Sequence, residues 1–132
     1  MSTVAQIAAL LGALAYLGAA PVEMFFVDRA WAARFLHVEH ESVDDVRMWA
    51  FCIGARNAIA GAGTLVGLAM LHLGDPAVGR TVVLTACWYL LLASLAMAVA
   101  DALGLWRPRG GSVLGTVSSS VPPLVAIVAA AL

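Results

Sequence analysis

Residues 46–70 read VRMWAFCIGARNAIAGAGTLVGLAM, a long and largely apolar stretch. It is long enough to cross a membrane, because about 20 residues of α-helix span the hydrocarbon core of a bilayer. Arg56 and Asn57 nevertheless lie about ten residues from its start, a depth of about 15 Å at the helical rise. An arginine at the centre of a transmembrane helix costs about 2.5–3.5 kcal/mol on insertion scales. The stretch therefore predicts a membrane helix with polar residues near the midplane and a second polar group that compensates them.

The composition of the whole chain is that of a membrane protein. Of its 132 residues, 63% are hydrophobic and 11% are charged, whereas soluble domains average about 45–50% apolar and about 25% charged residues. Four segments are long and apolar enough to span a bilayer: residues 3–27, 46–72, 77–102 and 112–132. We therefore predict an all-α integral membrane protein in which residues 1–132 form a single transmembrane four-helix bundle.

The connection between the first two spans predicts an additional short helix. It is polar, and it carries Trp31, Phe35 and Val38 on one side. Such a pattern is typical of an amphipathic helix that lies in the membrane interface. The next connection contains Gly74 and Pro76, which predict a tight turn between the second and third spans.

The arginines favour one orientation in the membrane, because short loops rich in arginine stay in the cytoplasm. The connections after the first and third spans hold four of them: Arg29, Arg34, Arg107 and Arg109. The opposite side has only Arg80. We therefore expect both termini to face away from the cytoplasm. The net charge of −1 gives no indication of a nucleic-acid partner.

Glu23, in the stretch PVEMFF at residues 21–26, is a carboxyl group about one turn inside the end of the first span. Neighbouring antiparallel spans bring the end of the first span and the start of the second to one side. An arginine side chain extends toward the interface, so Arg56 is predicted to reach Glu23 and form an ion pair. Because ionisable groups inside membranes are costly and usually mark functional sites, we expect a functional role for this pair and for Asn57. A purely structural pair that fixes the helix register is the alternative.

Further side chains complete the predicted polar pocket. Trp49 and Cys52 fall on the same helical stripe as Arg56, at steps of three and four residues. The remaining candidates lie in the other spans: Tyr16, Trp88, Tyr89 and Ser120. Packing is the competing explanation for the aromatic residues, and a small buried hydrophobe is the competing explanation for the cysteine. Pro122 and Pro123 interrupt backbone hydrogen bonds, which membranes tolerate where a helix lines a cavity or is buried in protein.

Glycines in the second span predict close helix packing. Gly63 and Gly67 form a G-x-x-x-G pattern, which often marks a surface where another helix approaches. Gly54 and Gly61 add two further points of close approach. We expect a neighbouring helix to pack tightly along this span.

Three stretches carry a family resemblance: VEMFF at residues 22–26, GARNAIAGAG at 54–63 and VPPLVAIV at 121–128. Together they resemble a bacterial family of small four-helix membrane proteins of unknown function, DUF1304. The residues that match the family's motifs are Glu23, Met24, Phe25, Gly54, Asn57 and Pro123. The chain departs from the family at four candidate pocket positions: Tyr16, Cys52, Arg56 and Ser120. The resemblance implies a retained pocket with a changed lining, in a protein of the bacterial inner membrane.

Two classes of function fit these features. In the first, the protein is an enzyme acting on a lipophilic small molecule, without cofactor or metal, by isomerisation, cyclisation or epoxide opening. Glu23 then serves as acid or base, because burial favours its protonated form and Arg56 favours the carboxylate. Arg56 or Asn57 holds a developing oxyanion. The expected partners are the substrate and membrane lipid, and a homo-oligomer is compatible with either class.

In the second class, the protein is a small-molecule transporter or carrier. Its size, four spans and first-span glutamate are similar to those of the small multidrug resistance transporters, in which the carboxylate exchanges protons for a cationic drug. An arginine paired with Glu23 argues against this class, because a fixed positive charge repels cations. A structural membrane partner is the remaining alternative.

Overall fold

The computed structural model describes residues 1–106 and 108–132. Its helices, in chain order, are α1 (Thr3–Phe25), α2 (Ala30–Phe35), a 3-10 helix (His40–Ser42), α3 (Val43–Leu73), α4 (Pro76–Ala102) and α5 (Val113–Ala131). The four long helices match the predicted spans to within three residues at each end. The described residues contain no strand, and the predicted all-α four-helix membrane fold is confirmed. Arg107, which the orientation prediction uses, lies outside the described residues.

The four long helices form a ring in which each packs against two neighbours. α1 packs against α3 and α5, and α4 packs against the same two helices. Each long helix runs antiparallel to the one before it, as in an up-down-up-down bundle. α1 and α4 also approach each other across the ring. Side chains of α1 can therefore reach three other helices.

Side chains cap the starts of α1 and α4. Ser2 Oγ accepts a hydrogen bond from the backbone N–H of Ala5 at 3.3 Å, and Asp75 Oδ1 accepts one from the N–H of Ala77 at 2.8 Å. Pro76 occupies the start of α4, where a helix does not need the missing N–H. The tight turn predicted before α4 is confirmed.

The short helix predicted in the first connection is confirmed as α2, but its residues are arranged differently. Trp31 and Phe35 are exposed, as a helix at the membrane surface requires. Val38 leaves their side of the chain, because the backbone turns at His37 with a φ of 56°. It packs against a small buried cluster made by Val27, Ala33 and Val43.

α3 is longer than a bilayer requires, and its register places its N-terminal part beyond the end of α1. The helix has 31 residues, a length of about 46 Å. Hydrogen bonds of Asn57 to Glu23 and of His72 to Gln6 fix its position against α1. Arg56 lies two residues beyond Gly54, which faces Ala20, so it is level with the part of α1 near Ala20, about 9 Å from the middle of that helix. The N-terminal part of α3 extends beyond the end of α1. The depth of Arg56 in the bilayer stays a prediction.

Asp101, at the end of α4, ties the last connection to the start of α5. Its carboxylate accepts hydrogen bonds from the backbone N–H of Gly110 at 2.8 Å and from the backbone N–H of Ser112 at 3.1 Å. The hydroxyl of Ser112 donates a third bond at 2.8 Å. Asp101 is buried, so this network fixes the end of α4 against the start of α5.

Candidate functional site

Glu23 and Asn57 meet at the interface of α1 and α3. Nδ2 of Asn57 donates a hydrogen bond to Oε2 of Glu23, with 2.8 Å between the two atoms. Asn57 is buried, whereas Glu23 is only half-buried. A carboxyl group can give or take a proton, and the amide of Asn57 has a second N–H to donate. The pair therefore combines a group that can exchange a proton with a hydrogen-bond donor.

Two glycines bring α3 close enough to α1 for this contact. A Cβ atom at Gly54 would lie 2.7 Å from the carbonyl oxygen of Ala20, and one at Gly61 would lie 3.0 Å from the carbonyl oxygen of Ala13. These positions have no room for a side chain. They lie three residues before and four residues after Asn57, on the same face of the helix. The close approach predicted at Gly54 and Gly61 is confirmed, and it clamps the polar pair from both ends.

Arg56 does not reach Glu23. Successive residues of an α-helix point about 100° apart, so Arg56 and its neighbour Asn57 cannot both face α1. Arg56 is exposed and borders a cleft between α3 and α4, which Tyr89 also lines. Among the described residues, the polar partner of Glu23 is the amide of Asn57 and not a guanidinium. The predicted ion pair is therefore absent from the structure.

Tyr16 belongs to a second buried polar cluster, two turns from Glu23 along α1. Its hydroxyl lies 3.1 Å from the carbonyl oxygen of Leu90 and 3.5 Å from that of Ser119, and it contacts the hydroxyl of Ser94. Ser94 can itself donate to the Leu90 carbonyl at 2.8 Å. A phenol has one proton, so Tyr16 donates to one acceptor at a time. The cluster links α1 to α4 and α5 inside the bundle.

The two prolines of α5 pack against α1. Pro123 is buried, and Cβ of Pro122 lies 3.4 Å from the position that a Cβ atom would take at Gly12. Because proline has no N–H, Pro123 leaves the carbonyl of Ser119 without its helical partner. That carbonyl is one of the acceptors that the Tyr16 hydroxyl approaches. A membrane helix tolerates such a break where it lines a cavity or is buried in protein. Here the break is buried in protein, against α1.

The remaining candidates do not converge on Glu23: Trp49, Cys52, Trp88, Tyr89 and Ser120. Trp49 and Cys52 share the stripe of Arg56, which is about a quarter turn from Asn57 around α3. Trp49, Trp88 and Tyr89 are exposed by 60%, 49% and 42%. The hydroxyl of Ser120 donates at 3.4 Å to a carbonyl of its own helix. The polar residues thus form separate sites, because the exposed aromatic residues face away from the bundle interior.

Sequence reasoning missed Ser94 as the partner of Tyr16. A signal was present, because Ser94 is the one polar residue between Tyr89 and Asp101 in an otherwise apolar part of α4. A lone serine in a membrane helix often bonds to its own backbone, which Ser94 also does. The sequence therefore singles out Ser94 as unusual, but it does not show that the Tyr16 hydroxyl contacts it.

The four helices and the carboxyl–amide pair define a class: a small integral membrane bundle with an ionisable residue inside its first span. Within that class, the chain belongs to the DUF1304 family of proteins of unknown function, whose family model matches residues 10–131. The predicted membership is confirmed, and both buried polar clusters lie inside the matched region. No curated protein and no solved structure matches the chain.

Proposed function

We propose that the protein binds a lipophilic small molecule beside Glu23 and Asn57 and performs cofactor-independent acid/base chemistry on it. One observation carries the proposal: the Glu23 carboxyl lies inside a membrane span, held by an amide and unpaired with any arginine of the described chain. A guanidinium favours the carboxylate through its positive charge, whereas an amide donates a hydrogen bond but carries no net charge. Glu23 is therefore suited to exchange a proton.

Three reactions fit this pair: isomerisation, cyclisation and epoxide opening. Each needs a proton delivered to one atom and removed from another, with no net oxidation or reduction. Glu23 gives or takes that proton, a role for which carboxyl groups are well suited in a desolvated site. The second N–H of Asn57 donates to the substrate oxygen that gains negative charge.

The helix packing around the pair favours chemistry over transport. Transport by alternating access requires helices to rock against each other around the bound molecule. Gly54 and Gly61 instead hold α3 against the backbone of α1 on both sides of Asn57. A catalytic acid needs such fixed geometry, because small displacements of a reacting group cost large factors in rate.

A proton-coupled carrier is the second candidate, and the position of Arg56 favours it. The sequence-based objection to a carrier was a fixed positive charge next to Glu23. Arg56 lies on a different face of α3 and borders another cleft. A carboxylate without that neighbour can attract a lipophilic cation when it is deprotonated and release it when it is protonated.

The test begins with lipid extracts of the native host, with and without the gene, compared by mass spectrometry. The compound that accumulates without the gene is then given to purified protein. Glu23→Gln is expected to lower turnover by at least about 100-fold, because it removes the proton but keeps the shape, while binding changes by less than about tenfold. Glu41→Gln, at an exposed carboxyl of the first connection, is the matched control and should keep full turnover.

The outcomes separate the candidates. Full turnover by Glu23→Gln would overturn the enzymatic proposal. A compound that purified protein moves across a vesicle membrane without converting it, in a Glu23-dependent way, would establish the carrier. If no compound accumulates and none binds, both small-molecule candidates are contradicted, and the structural alternative remains.

We also propose that both termini face away from the cytoplasm in a bacterial inner membrane. The support is the excess of arginine in the connections after the first and third spans. An impermeant thiol reagent added to whole cells should label Gly74→Cys and should not label Glu41→Cys, each in a Cys52→Ala, Cys87→Ala background. The reverse labelling pattern would contradict the orientation.

A further inference from the structure

α3 and α4 pack tightly at one level and separate at the next. A Cβ atom at Gly67 would lie 2.8 Å from Cγ2 of Val83, and one at Gly79 would lie 2.7 Å from the carbonyl oxygen of Gly67. At Gly63, one turn along α3, a Cβ atom would have no neighbour within 4 Å, so the close approach predicted from the G-x-x-x-G pattern is confirmed at Gly67 and wrong at Gly63. The two helices therefore diverge from Gly67 toward Arg56.

The divergence opens a cleft on the outer surface of the bundle, with a volume of about 590 Å³. Its lining consists mainly of small or apolar residues with a single charged one: Arg56, Ile59, Ala60, Gly63, Thr85, Ala86 and Tyr89. From Arg56 to Gly63 the cleft extends about 10 Å along α3. It is therefore a short apolar channel with a cation at one end.

The cation at that end lacks a partner in the described part of the chain. Arg56 is exposed, and neither a carboxylate nor a carbonyl of the described residues accepts a hydrogen bond from it. A charged side chain within a membrane span is costly unless an opposite charge or polar groups compensate it. An anion from outside the described bundle can supply that compensation.

We propose that this cleft binds one anionic phospholipid of the surrounding bilayer. Arg56 lies level with the part of α1 near Ala20, and its long side chain can extend from there toward the lipid headgroups. Its guanidinium matches the geometry of a phosphate with two parallel hydrogen bonds. The beginning of one acyl chain then lies along Gly63 and Ala86, where the separated helices leave space.

A second copy of this chain fits the cleft less well than a lipid does. Closed pairs of identical subunits normally use the same surface on both copies. Within one membrane, such a contact brings the two Arg56 side chains together at the same depth. Two like charges in a low-dielectric setting repel each other, whereas a lipid phosphate neutralises the one charge present.

The experiment is native mass spectrometry of the full chain in detergent, with added dioleoylphosphatidylglycerol or dioleoylphosphatidylcholine. We expect one phosphatidylglycerol to bind more tightly than phosphatidylcholine. Arg56→Gln should weaken phosphatidylglycerol binding by about tenfold or more, the effect of losing a charge-assisted hydrogen bond. Arg47→Gln is the matched control, because Arg47 is an exposed arginine of the same helix outside the cleft, and it should bind like the unmodified chain.

A second variant tests the channel without changing charge. Gly63→Leu fills space that the structure leaves open, so it should fold normally and weaken phosphatidylglycerol binding while Arg56 remains in place. Equal binding of the two lipids by the unmodified chain, or unchanged binding by both Arg56→Gln and Gly63→Leu, would overturn the proposal. A dimer that Arg56→Gln dissociates would assign the cleft to a second copy instead.

Discussion

Asn57 and Arg56 are adjacent residues of α3, but they lie on two faces of the helix with different surroundings. The face of Asn57 is closed, because Gly54 and Gly61 let the backbone of α1 approach on either side of it. The face of Arg56 is open, because α4 has already diverged from α3 at the level of Gly63. The approach of the neighbouring helices, and not the polarity of the side chain, decides which polar residue becomes buried.

The same difference separates the two proposed sites. On the closed face, Asn57 donates a hydrogen bond of 2.8 Å to Glu23 of α1, and this fixed geometry suits proton transfer. The open face presents a single arginine above an apolar cleft, which suits lipid binding. Both proposed sites use α3, and mutation of one face at a time tests each proposal separately.

The largest expected effect comes from adding a side-chain atom where α3 lies closest to α1. Gly61→Ala places a Cβ atom 2.8 Å from Cγ of Leu17 and 3.0 Å from the carbonyl of Ala13. Overpacking of this kind costs about 1–3 kcal/mol of unfolding free energy. Gly63→Ala meets no atom within 4 Å and should change it by less than about 0.5 kcal/mol. Unfolding in mixed micelles measures both, and equal effects would mean that α1 does not approach as closely as described.

A smaller effect is expected from the hydroxyls of the two tyrosines. Tyr16→Phe removes the phenol that contacts Ser94 and should cost about 0.5–1.5 kcal/mol, the usual contribution of one hydrogen bond. Tyr89→Phe, on the exposed surface of α4, should have no measurable effect on the same unfolding curve. A Tyr89→Phe loss as large as that of Tyr16→Phe would show that the open face is covered in the detergent-solubilised protein.

Hydropathy, helix breakers and glycines were sufficient to predict the fold. Spans are constrained by bilayer thickness, so segment length and composition predicted four helices and their approximate ends. Pro76 and the residues around it predicted the turn before α4, and Gly54 and Gly61 predicted close approach. Each of these signals acts locally or through one dominant physical constraint.

The arrangement of the polar site could be predicted only in part. Glu23 and Asn57 were both identified, yet the partner assigned to Glu23 was Arg56, because opposite charges offer the stronger attraction. Which of two adjacent residues faces α1 depends on the rotation of α3 about its axis. That rotation is set by the sum of packing contacts with α1 and α4, which no short motif contains.

A double-mutant cycle on the unfolding free energy tests the pairing of Glu23 most directly. Combining Glu23→Ala with Asn57→Ala should give an interaction energy of about 1 kcal/mol, as for residues in direct contact. Combining Glu23→Ala with Arg56→Ala should be additive to within about 0.5 kcal/mol, as for residues without a shared partner. Additivity of Glu23 with Asn57, together with strong coupling of Glu23 to Arg56, would contradict the carboxyl–amide site and restore the ion pair.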